Sequence, residues 1–67
     1  MNNGWIGVSP RWLQIKKEAL GLSFKKMGDV CGIDRRNLHK YYWGQLVMSN
    51  DTKKKIYNAF KTYENGK

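Results

Sequence analysis

Three glycines, Gly21, Gly32 and Gly44, cut the middle of the chain into short pieces, and each piece opens on a residue suited to capping a helix. Ser9 with Pro10, Ser23, Asp34 and Ser49 stand at those openings. A Ser or Asp side chain accepts from the unpaired N–H groups of a first turn, and Pro is tolerated there because it has no N–H to leave unpaired. Glycine ends a helix because it enters the left-handed conformation without a Cβ clash. This punctuation predicts brief turns between short helices, an all-α fold built as a compact bundle of four to five helices.

Apolar spacing fills in the pieces. Trp12, Leu13, Ile15, Ala19 and Leu20 make a broad stripe on a first helix over 10–20, with Lys16, Lys17 and Glu18 outward. Phe24, Met27, Val30 and Cys31 share one face of a second helix over 24–31, and Leu38 and Tyr41 face inward on a third over 35–43. Ile56, Ala59, Phe60 and Tyr63 supply the core face of a fourth helix after Ser49. Gly28 lies inside the second helix, where it is unfavourable by about 1 kcal/mol against Ala, so a close approach by a neighbouring helix is the expected reason for it. The expected organisation is an N-terminal arm over 1–8, one folded domain over 9–63 and a frayed end over 64–67.

Size and charge restrict the function. A chain of 67 residues makes one small domain. Thirteen Lys and Arg against five Asp and Glu give a formal charge of +8, which favours polyanions such as nucleic acid or an anionic membrane surface. No apolar run approaches the roughly 20 residues of a spanning helix, and no stretch has the pattern of a secretory signal. With one unpaired Cys31, a cytoplasmic protein is expected. One Cys and one His do not supply a metal site, and no base stands ready for a Ser or Cys nucleophile. Neither an enzyme nor a cofactor, metal or small-molecule ligand is expected.

The stretch from Leu22 to Gly44 carries the motif. Gly21, Leu22 and Ser23 form a G-L-S triplet, Gly28 is a small residue on the inner face, Gly32 makes the turn, Ile33 and Leu38 are the apolar pair, and Gly44 closes the third helix. In register and spacing this resembles the helix-turn-helix of the lambda repressor and Cro type, the XRE family, over about residues 13–60. The chain departs from the family pattern at three places: Phe24 replaces the usual phosphate-bracing Gln, Lys16 stands where an apolar residue is common, and Gly28 replaces Ala.

The resemblance implies a DNA-binding transcriptional regulator, a repressor of phage or mobile-element type, with its third helix in the major groove of a double-stranded operator. Its base readers are then Arg35, Arg36 and Lys40, with Asn37 and His39 in support; an Arg fork suits guanine O6 and N7. Phosphate contacts fall to Ser23, Lys25, Lys26, Gln45 and Lys53, together with backbone N–H groups at the start of the second helix. Many such proteins are homodimers on pseudo-palindromic sites. The alternative is a protein-interaction module on the same fold, an antirepressor or inhibitor.

Other residues have quieter roles. Asp34 is read as a cap before a base reader, Cys31 as a small buried hydrophobe, and Lys53, Lys54 and Lys55 as an exposed basic run. Tyr41 is expected in the core and Trp43 on the following loop, leaving Tyr42 exposed. Trp5 and Ile6 serve as a lid over the core, a dimer contact or a minor-groove arm, the first two being favoured.

Overall fold

Every helix begins on the residue expected to cap it. Ser9 Oγ accepts from Trp12 N–H at 3.2 Å, Ser23 Oγ from Lys26 N–H at 3.1 Å, Asp34 Oδ1 from Arg36 N–H at 2.8 Å and Ser49 Oγ from Thr52 N–H at 3.2 Å. The computed structural model describes residues 4–66. Their regular structure is helical throughout: a short 3-10 turn over Gly4–Gly7, then α1 (Pro10–Leu20), α2 (Phe24–Cys31), α3 (Arg35–Tyr42) and α4 (Asn50–Asn65).

The stops are as local as the starts. At the end of α2, Gly32 adopts φ +67° and lets the Ile33 N–H return to the Gly28 carbonyl at 3.0 Å. This is the six-to-one hydrogen bond of a Schellman ending. Leu22 N–H to Lys17 O at 3.1 Å closes α1 in the same way, and Gln45 N–H to Lys40 O at 2.8 Å closes α3.

The core is built from Val8, Leu13, Leu22, Met27, Cys31, Leu38, Tyr42, Met48, Ile56 and Phe60. No polar or charged residue is buried with them among the described residues. Helix α2 packs on both α3 and α4, α1 packs on α3, and the 3-10 turn packs on α4. The Cα radius of gyration is 10.8 Å, against roughly 11 Å for a folded chain of this length. No described helix is long and apolar enough to cross a membrane.

Gly28 has the close approach its position implied. A Cβ there would stand 2.9 Å from the Ile33 carbonyl oxygen and 3.6 Å from Arg35 Cα. Both neighbours are backbone, so the absence of a side chain sets how tightly α2 meets the start of α3.

Four expectations are corrected. Ile15, assigned to the apolar stripe of α1, is 56% exposed, and Ala19 is exposed too; Ile15 lies about 200° round the helix from the buried Leu13. Tyr42, expected outside, is only 8% exposed, whereas Tyr41 is half-buried. Tyr42 follows Leu38 by one full turn and meets the Phe24 ring edge-on at 4.8 Å. The helix expected over 35–43 ends at Tyr42, with Trp43 as its C-cap.

The ends of the domain also differ from expectation. Helix α4 continues to Asn65, because Glu64 is held by Lys16 of α1 at 2.7 Å and Tyr63 is half-buried against the core. The expected fraying thus fails for residues 64–66, and residue 67 lies outside the described residues. The expected arm over 1–8 is folded from Gly4 onward: Val8 enters the core, and the Trp5 ring lies 5.0 Å from Lys54 Nζ on α4. Residues 1–3 lie outside the described residues. Trp5 is half-buried beside Lys54 and is not among the residues packed on the core, while Ile6 stays exposed.

Candidate nucleic-acid interface

The N-terminus of α2 and the outer face of α3 enclose an open cleft of about 630 Å³. Ser23, Phe24 and Lys25 line it from α2, and Arg35, Arg36, His39 and Lys40 from α3. The α3 residues recur at i, i+1, i+4 and i+5, so they share one side of the helix. Gln45, just beyond the Schellman ending of α3, completes the wall. Four of these side chains are cations and none is a carboxylate. Such a wall concentrates positive potential where an anion would enter.

Backbone geometry adds to that field. The first-turn N–H groups of Phe24 and Lys25 have no acceptor within their helix, and the positive end of the α2 dipole is directed outward there. Lys26 N–H is already taken by Ser23 Oγ, which leaves the Ser23 hydroxyl able to donate.

Arg36 is open to solvent, with its side chain 88% exposed. Asp34 Oδ1 stands 3.9 Å from Arg36 Nε while capping the helix. An exposed pair at that distance contributes little and leaves the guanidinium fork available. Asp34 thus has the capping role expected of it.

The structure brings four of the five expected base readers into this cleft, together with Ser23, Lys25 and Gln45 of the expected phosphate contacts. It leaves three residues out. Asn37 is exposed but sits about 100° further round α3 than Arg36. The Lys26 ammonium lies 6.0 Å from the Tyr63 ring centroid on α4, facing away. Lys53 is half-buried and borders a separate groove formed with Pro10, Leu46 and Val47.

Phe24, expected on the apolar face of α2 and standing where the family has Gln, is the hub of the cleft. Its ring takes His39 edge-on at 4.8 Å, Tyr42 edge-on at 4.8 Å, and the Lys17 ammonium from α1 at 5.0 Å. An aromatic group here fixes the α2–α3 crossing instead of bracing a phosphate.

A second missed contact lies at the end of α3, where Trp43 Nε1–H donates to His39 Nε2 at 3.1 Å. The i, i+4 spacing of these two residues was the available signal. Trp43 is 55% exposed and does not bury itself against the following loop.

Several lysines outside the cleft have aromatic partners: Lys16, Lys17, Lys26, Lys54 and Lys61 each lie over a ring. Lys25, Lys40, Arg35 and Arg36 converge on the cleft, with no such ring contact among the described residues. Comparison of the chain with family models, with curated proteins and with solved structures gives no match.

Proposed function

We propose that this protein is a sequence-specific double-stranded DNA-binding regulator that lays α3 in the major groove. The observation that carries the reading is the cleft where Lys25, Arg35, Arg36 and Lys40 meet beside the N-terminus of α2 without a lining carboxylate. An α-helix with side chains is about 10–12 Å across and the B-DNA major groove about 12 Å wide. The exposed side of α3 thus suits the groove in width and in charge. Arg35 and Arg36 would read guanine edges, Lys40 and His39 would support them, and Lys25 with the α2 N–H groups would grip a phosphate.

Under this reading the protein is a repressor-type transcriptional regulator of the cytoplasm that blocks polymerase by occupying an operator, with a second copy on a symmetric half-site. It performs no catalysis and needs no cofactor. The test is selection of bound fragments from a random duplex library at near-physiological salt, followed by affinity measurement on the enriched sequence. Enrichment of a motif, with binding that falls steeply as salt rises, is the expected result. Uniform recovery of all sequences would sink the reading.

A further inference from the structure

The single histidine of the chain lines the cleft, yet its ring already has a partner. Trp43 Nε1 can only donate, so the 3.1 Å contact requires His39 Nε2 to be an unprotonated acceptor. Phe24 stands edge-on to the imidazole at 4.8 Å and Trp43 at 6.1 Å, so the ring is packed as well as bonded.

We infer that Trp43 is a positioning residue of this cleft: it holds His39 as the neutral tautomer that carries its proton on Nδ1, and this latch fixes which edge of the ring a ligand meets. The inference rests on the DNA-binding reading for its consequence, although the latch itself does not. With Nε2 occupied, the polar edge that His39 offers a ligand is Nδ1–H. It therefore pairs with acceptors, such as phosphate oxygen, guanine O6 and N7 or thymine O4, and not with the amino groups of cytosine or adenine.

The tautomer is read by nitrogen-correlated NMR of the imidazole, a single signal because the chain has one His. At pH 7.5 the protein should show the Nδ1–H form, and Trp43→Phe, which keeps an aromatic ring but removes the donor, should redistribute it toward Nε2–H. An Nε2–H form in the unaltered protein would overturn the latch, whether or not DNA binds.

The consequence is read with the enriched duplex at pH 7.5 and fixed ionic strength. Trp43→Phe releases the ring to present an acceptor in place of the donor, so affinity should fall by about fivefold, the worth of one hydrogen bond, and His39→Ala should lose the same contact. Once His39 is Ala, Trp43→Phe should bring no further loss; a Trp43→Phe loss that persists undiminished in the double variant would overturn the coupling of the two residues. A chain that binds no duplex, but keeps the Nδ1–H tautomer, would overturn the DNA reading and leave the latch standing.

Discussion

Two cationic regions of this molecule carry the same kind of charge and treat it differently. Around α1 and α4 several lysines are engaged: Lys16 lies over Trp12 and bonds Glu64, Lys54 lies over Trp5, and Lys61 over Tyr57. Each such contact contributes about 0.5–1 kcal/mol at an exposed site and fixes the side chain against the fold. In the α2–α3 cleft, Lys25, Arg35, Arg36 and Lys40 face outward together, and Arg36 meets a carboxylate only at 3.9 Å. In a chain of formal charge +8, net sign does not single out one surface. The meeting of four cations in a cleft without a lining carboxylate does.

Removing both unanchored arginines puts most strain on that contrast. Arg35→Ala with Arg36→Ala should lower affinity for the enriched duplex by about 1–3 kcal/mol per residue and erase its preference over random DNA. The melting temperature should barely move, since both side chains are exposed. Intact discrimination in a fluorescence-anisotropy titration would remove α3 as the reader.

Next comes the seam on which the cleft depends. Gly28→Ala forces a Cβ to within 2.9 Å of the Ile33 carbonyl, and such overpacking destabilises by about 1–3 kcal/mol. The circular-dichroism melt should shift down by about 4–8 °C per kcal/mol, with duplex binding weakened because α2 and α3 spread. An unchanged melt would mean that the crossing has slack.

Between the two regions lies Cys31, whose burial raises its thiol from 9.0 to about 11, with Lys55 opposing weakly. Below pH 9 both folded and unfolded chains hold this proton. From 9 to about 11 the unfolded chain releases it first, so stability falls as pH rises through that window. Denaturant melts of the unaltered protein should show this extra loss, and melts of Cys31→Ala should lack it; equal slopes would refute the assignment.

The smallest expected effect is the sharpest contrast, because it compares neighbours on one helix. Lys25→Ala should weaken binding to all duplexes alike and reduce the log–log salt slope by about 0.9. Lys26→Ala, whose ammonium belongs to Tyr63, should leave the slope nearly unchanged. Equal salt slopes in the two variants would dissolve the distinction between anchored and unanchored lysines.

What was legible in the sequence was local. Ser9, Ser23, Asp34 and Ser49 cap as their types and positions imply, and Gly32 turns the chain where a left-handed residue is needed. What was not legible depended on which neighbour a face meets. Tyr41 and Tyr42 are both compatible with a helix that buries Leu38, and only the position of Phe24 selects Tyr42. Ile15 reads as core by type and falls on the far side of α1 by angle. The cleft-lining face of α3 was largely traceable because i, i+4 spacing keeps Arg35, Arg36, His39 and Lys40 together. Lys25 and Lys26 are identical in sequence terms, and the packing of α4 alone separates them.

The Schellman endings bear also on how fast this molecule forms. Each helix boundary is set by a hydrogen bond spanning only a few residues, so little chain entropy is lost in deciding where a helix starts or stops. Chains dominated by such short-range contacts fold on the microsecond to millisecond scale. An unfolded chain would regain its cleft within that time, long before a newly made copy could replace it.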